Sequence, residues 1–151
     1  MEQLEPPDVA VWDERRLWFE AREASCAKAG AAAPSEQACA LMIDLQAAYC
    51  AGAFSAAIVL AAAIVDAQAL PGAPREAGVA GLDRKTLRWL RGLRNRLVHE
   101  DPANPAITIE DHWMKRDVWE RRTRRAVEAA FAALYPGSAG GSAGGSAGEG
   151  A

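Results

Sequence analysis

Cysteine and histidine are scarce in this chain of 151 residues, which holds three cysteines, Cys26, Cys39 and Cys50, and two histidines, His99 and His112. The cysteines contain no CxxC pair, so neither a disulfide framework nor a zinc site is indicated, and they read as small buried hydrophobes on helices. No metal and no cofactor is expected on that inventory. Long apolar runs are missing as well. The longest uncharged apolar run, residues 47–65, is mostly alanine and contains Gly52 and Ser55, which is weak hydrophobicity for a membrane span of about 20 residues. The first 20 residues are acidic and lack a basic start followed by an apolar stretch, so a secretory signal of the usual kind is not expected and a cytoplasmic location without membrane contact is. Strand-like sequence is confined to Ile107-Thr108-Ile109, too short to support a sheet.

What is present suits one all-α domain with a core, since half the residues are apolar. A charged helix over Asp13 to Ala29 follows an irregular start with Pro6-Pro7 and carries Trp18 and Phe19, preceded by Trp12; Gly30 and Pro34 separate it from the next. Ser35 can cap a helix to about Cys50, with Leu41, Leu45 and Ala48 at helical spacing. Gly52 interrupts. A second helix is expected from Phe54 to about Leu70, with Ile58, Ala61 and Val65 on one side, Leu60 and Ile64 beside it, and Pro71-Gly72-Ala73-Pro74 as its stop. So much alanine lets helix axes approach closely, as at the centre of a bundle. Asp66 near the end of this apolar helix must either face water or meet a cation. Asp83 can cap a helix from Arg84 to about His99, ended by Asp101-Pro102-Ala103-Asn104-Pro105. A last helix, beginning after Thr108 or Asp111, reaches Tyr135 with Trp119, Val127, Phe131 and Leu134 as apolar contacts. From Pro136 the sequence is Gly, Ser and Ala in near-repeat and reads as a disordered tail or fusion linker. The organisation is an N-terminal helix (1–34), a helical bundle (35–135) and a tail (136–151).

Charge is uneven along the chain. Net charge is −3, yet residues 1–80 hold 5 Lys+Arg against 11 Asp+Glu, and residues 81–125 hold 12 against 7. Two clusters produce the swing: Arg84, Lys85, Arg88, Arg91, Arg94 and Arg96, then Lys115, Arg116, Arg121, Arg122, Arg124 and Arg125. Such clusters either attract phosphate chains or form two solvated helix faces.

The segment Arg94-Asn95-Arg96-Leu97-Val98-His99 is the most chemical part of the chain. A guanidinium stays cationic and can fork two donors onto phosphate oxygens, and an imidazole exchanges protons near neutrality. At about 100° per residue, Asn95 and His99 lie within roughly 40° of each other on a helix, but Arg94 and His99 differ by about 140°. Arg94 must reach round, the helix must distort before His99, or the site must form between two chains. The alternative is a helix C-cap in which both side chains bind backbone carbonyls. His112, between Asp111 and Trp113, reads as a surface residue.

With Leu93 before it and Glu100 after it, this segment resembles the signature of the HEPN family: an Arg, a polar residue that is often Asn, three variable residues and a His. Ala48-Tyr49-Cys50-Ala51-Gly52-Ala53-Phe54-Ser55-Ala56-Ala57, followed by an apolar helix ending in Asp66, is similar to the first helix pair of many such proteins. The resemblance covers roughly residues 35–135 and leaves the N-terminal helix aside. It implies an all-α bundle of four or five helices, here with an extra N-terminal helix, that pairs as a homodimer. It implies further a metal-independent endoribonuclease, a toxin or phage-defence effector, with an antitoxin such as a nucleotidyltransferase or small protein as partner. Arg94 and His99 would be catalytic, Asn95 the polar residue of the motif, Asp66 a supporting carboxylate, and Arg88, Arg91 and Arg96 contacts for RNA. A two-fold axis near His99 would supply acid and base together. HEPN domains also occur as non-catalytic nucleotide-, RNA- or partner-binding modules, and that reading stays open, as does a scaffold whose basic helices meet an acidic partner.

Overall fold

A computed structural model of the chain describes residues 5–27, 34–69 and 78–137. Among them are six helices and no strand: α1 (Val9–Ala27), α2 (Glu36–Ala51), α3 (Phe54–Ala67), α4 (Arg84–Val98), α5 (Ile109–Met114) and α6 (Arg116–Leu134). The all-α expectation holds. Leu70 with the Pro71-Gly72-Ala73-Pro74 stop, the expected helical residues Lys28 and Ala29, and the tail from Ser138 onward lie outside the described residues. No described helix is long and apolar enough to cross a membrane.

The core is organised around α3. Ala57, Ile58, Ala61, Ala62, Ile64 and Val65 are all buried, an arc of roughly 160° at about 100° per residue, while the alanines Ala56, Ala63 and Ala67 are exposed on the opposite side. A helix apolar on nearly every side belongs in the middle. α6 and α2 pack along it most extensively, and α4 closes a further side. On α6 the facing surface is itself alanine-rich, with Ala126, Ala129, Ala130 and Ala133 buried beside Val127 and Phe131, so two backbones approach closely without large side chains between them. Thr123 is fully buried there and donates its hydroxyl to the Trp119 carbonyl at 2.8 Å, the backbone bond open to a hydroxyl inside a helix.

Local signals set most boundaries. Asp8, after Pro6-Pro7, accepts the Ala10 N–H at 2.8 Å on its side chain and the Trp12 N–H at 2.9 Å on its carbonyl. Because of this cap, α1 starts four residues before the Asp13 expected from charge pattern alone. Ser35 caps α2 through the Ala38 N–H as expected. The buried stripe of α2 is Ala38, Met42, Leu45 and Tyr49, with Leu41 and Ala48 half-buried beside it. Ile107-Thr108-Ile109 is no strand. Thr108 caps α5 in a capping box with Asp111. The last helix, expected as one, breaks at Lys115, beyond which Arg116 turns inward.

α1 is bound into the same core. Phe19 is 1% exposed and stacks edge-on against Phe131 with centroids 5.0 Å apart. Arg15, almost fully buried, donates to the Cys50 carbonyl at 3.3 Å and pairs with Glu120 at 3.4 Å. The α2–α3 corner is thus held from two directions. Gly52 adopts φ +76°, its carbonyl accepts Arg116 Nη2 at 2.8 Å, and the Arg116 guanidinium lies 4.4 Å from the Phe54 ring centroid. Tyr49 sits below the corner, accepting Arg124 Nε at 2.7 Å.

Two predictions follow from these contacts. Gly81, at φ +81°, places its Cα against α6 so that an added Cβ would run into the Ala132 carbonyl, a backbone atom that cannot step aside, whereas Gly92 inside α4 faces open space. Gly81→Ala should destabilise the protein by about 2–3 kcal/mol, and Gly92→Ala should stabilise it by roughly 0.5–1 kcal/mol, both read from denaturant midpoints. The two tyrosines, Tyr49 and Tyr135, are both pushed up to about 12, chiefly because burial disfavours the phenolate. A phenol raised in the folded state adds stability that is complete below its unfolded value of about 10 and is lost as pH rises through the folded value. Phenolate absorbance should therefore stay flat through pH 10 in the folded protein, with stability falling above it. A full two-tyrosine titration centred near pH 10 without unfolding would contradict this packing.

Candidate functional site

α4 carries the Arg94–His99 segment, and its own chemistry makes it a helix. The Asp83 carboxylate accepts the Thr86 N–H at 2.8 Å and the Thr86 hydroxyl at 2.7 Å. Those two bonds hold its carboxyl below the usual carboxylate range. Leu87, Leu90 and Leu93 are buried against α3 and α6, leaving Arg84, Lys85 and Arg88 exposed.

Asp66, in the last turn of α3, meets two cations. Its Oδ1 accepts Arg91 Nε at 2.9 Å and its Oδ2 accepts Arg94 Nη2 at 2.9 Å. The three side chains are 17% (Arg91), 34% (Asp66) and 23% (Arg94) exposed, so the pairs are neither in bulk water nor fully desolvated. Arg94 retains further N–H donors for an anion. The C-cap alternative for Arg94 is not realised, because the guanidinium binds a carboxylate of another helix rather than a carbonyl of its own. Asp66 orients Arg94.

Arg94 and Asp66 border an open groove of about 670 Å³. Ser35 and Gln37 at the start of α2 form one wall, Val59 and Ala63 of α3 the floor, and Val98 of α4 the other end. Beyond Val98 the helix stops. His99 has extended backbone, φ −113° and ψ 103°, and keeps one helical bond from its N–H to the Asn95 carbonyl at 2.8 Å. Its imidazole is exposed and makes no hydrogen bond or ion pair among the described residues. The helix ends one residue before His99, and His99 is not among the residues lining the groove that Arg94 borders. Asn95 is half-buried, and its Oδ1 is a buried acceptor without a hydrogen-bond partner among the described residues, which is uncommon in folded proteins.

The remaining basic residues divide into two groups. Arg88 and Arg96 are exposed and make no ion pair among the described residues, whereas Arg91 binds Asp66. In the second cluster Lys115, Arg121 and Arg125 are exposed, while Arg116, Arg122 and Arg124 are half-buried against the body of the protein. Arg116 holds Gly52, Arg124 binds Tyr49 and Glu120, and Arg121 pairs with Asp117. Arg122 and Arg125 cover Trp119 and Trp89 at 4.8 and 4.0 Å from the ring centroids. His112 packs edge-on against Trp113 in α5. Among the described residues no group of three or more His, Cys, Asp or Glu side chains could hold a metal ion. The groove went unseen in the sequence, since its walls come from three helices separated by linkers; the one signal was a carboxylate on an apolar helix with two arginines three apart on another.

No family model matches the chain, and no curated protein or solved structure matches it either.

Replacing Asp66 leaves two half-buried guanidinium groups facing each other. Asp66→Ala should cost roughly 1–2 kcal/mol, given the partial exposure of the pair. Asp66→Ala combined with Arg94→Ala should cost at least about 0.5 kcal/mol less than the two separate losses added together. Additive losses in a double-mutant cycle would show that the pair does not position Arg94.

Proposed function

We propose that the chain is a metal-independent endoribonuclease of HEPN type that acts as a homodimer through Arg94, Asn95 and His99. The observation that carries the reading is a guanidinium fixed by Asp66 at an open groove, on the helix whose end releases an exposed imidazole five residues later. RNA supplies its own nucleophile. A 2′-OH attacks the neighbouring phosphorus, the P–O2′ bond forms as the P–O5′ bond breaks, and the products are a cyclic phosphate and a free 5′-OH. One proton leaves the 2′-OH and one reaches the departing 5′-oxygen.

In this reading His99 removes the first proton and His99 of the partner subunit donates the second, as a two-fold axis allows. Arg94, held by Asp66, stabilises the charge building on the phosphoryl oxygens. Asn95, with its buried acceptor unsatisfied, completes its bonding when RNA or the second protomer arrives. Arg88 and Arg96 hold flanking phosphates, so affinity should weaken as salt rises. The same reading places the protein among toxins or phage-defence effectors, restrained by a nucleotidyltransferase or small antitoxin.

A second reading, a module that binds nucleotide or RNA without turnover, is favoured by the Asp66 pair, which compensates part of the Arg94 charge.

Purified protein should cut RNA in the presence of a chelator and leave cyclic phosphate ends. His99→Ala should lower the cleavage rate by about 10²- to 10⁴-fold with an unchanged melting curve, because the imidazole is exposed and unbonded. Undiminished cutting by that variant would reject the assignment, and tight nucleotide binding with no cleavage by the parent protein would move it to the second reading.

A further inference from the structure

Burial separates the three cysteines, contrary to the expectation that all are buried. Cys50 is 1% exposed, Cys26 is half-buried and Cys39 is exposed. Cys26 belongs to the last turn of α1 and Cys39 to the first turns of α2. These helices pack against each other in antiparallel register, fixed by three contacts. Arg15 reaches the Cys50 carbonyl at 3.3 Å, Trp18 lies 5.3 Å from Tyr49 between ring centroids, and Gln46 donates to Glu20 at 3.4 Å. Each step forward on α1 therefore matches a step back on α2, and the register brings Cys26 level with residues 39–41, so that Cys39 lies within about 3 Å of it along the axes.

Facing agrees with level. Phe19 and Glu23 of α1 line a cleft of about 320 Å³ together with Cys39, Met42, Ile43 and Gln46 of α2, and Cys26 follows Glu23 by three residues on the same side of α1. Tyr135, which donates to Glu23 at 3.0 Å, also lines this cleft. Helix axes in contact lie about 8–10 Å apart with each Cα about 2.3 Å off its axis, so facing Cα atoms fall near the roughly 4.4–6.8 Å that a disulfide needs.

We infer that Cys26 and Cys39 form a reversible disulfide that staples α1 to α2, made by exchange with a low-molecular-weight disulfide of the glutathione type. The exposed Cys39 thiolate attacks one sulfur of the small disulfide, forming a mixed disulfide and releasing one small thiol. The Cys26 thiolate then attacks Cys39 Sγ, the protein S–S bond forms, and a second small thiol leaves. Two electrons pass to the small disulfide, and the two cysteine protons end on the two released thiols. Cys50 takes no part, because it is walled off by the core and burial pushes its thiol up, away from the reactive thiolate. The staple acts on the turns of α2 that begin with Ser35 and Gln37, the wall of the Arg94 groove, and so stiffens that wall in the oxidised protein.

The test uses the full chain, reduced and then equilibrated with increasing ratios of oxidised to reduced glutathione. Free thiols counted after denaturation should fall from three to one, with intact mass lower by two hydrogens and a proteolytic peptide joining Cys26 to Cys39. Cys26→Ser should instead hold glutathione as a stable adduct on Cys39. Three thiols persisting under excess oxidant, a glutathione adduct in place of the internal link in the parent protein, a chain-to-chain crosslink, or a link through Cys50 would each overturn the proposal. None of these outcomes depends on RNA cleavage.

Discussion

α3 is the constraint on which the molecule depends. Its 14 residues carry no charge until Asp66, and a helix with so little polar surface is stable in water only when other helices cover it. α2 and α6 do so along their lengths, and the small side chains on α3 and α6 allow those axes to approach. Covering α3 also fixes where its single carboxylate emerges. Asp66 leaves the core at the edge where α4 crosses, so the burial that organises the fold presents a negative charge to two arginines, one of which belongs to the candidate motif.

The charges at the other end of the bundle do different work. Arg15, Arg116 and Arg124 converge on the α2–α3 corner with Glu120, and each finds a carbonyl, a phenol or an aromatic face there. Half-buried cations placed over rings and on helix-terminal carbonyls are structural, because removing one would leave a desolvated acceptor unpaired. The α4 cluster keeps Arg84, Lys85, Arg88 and Arg96 open to solvent, whereas in the α6 cluster Arg116 and Arg124 are drawn to Gly52 and Tyr49 and Arg122 lies over Trp119, leaving Lys115, Arg121 and Arg125 exposed.

Several elements were legible in the sequence because their causes are local. Ser35 and Asp83 announce helix starts by offering a side-chain acceptor to an N–H three residues on, and Gly52 announces a left-handed cap. The buried Trp119, Val127, Phe131 and Leu134 follow from helical spacing. The site was half legible: Arg94, Asn95 and His99 stand out as residue types, and Asp66 stands out as a carboxylate on an apolar helix. Their relation did not, since nothing local says that Arg91 shares Asp66 or that the helix ends one residue before His99. The break at Lys115 was hidden for the same reason, because Arg116 turns toward a carbonyl 64 residues earlier in the chain.

By itself the sequence determined the helical class, the caps, the alanine-rich centre and the inventory of cations and imidazoles, all of which rest on interactions within a few residues. Tertiary structure decided which charges meet. Whether an arginine binds phosphate, a carboxylate or a tryptophan face, and whether two thiols thirteen positions apart can touch, depends on helix register and packing distance. Those follow from covering α3 with the least void volume, a condition on the whole chain that no short window of residues contains.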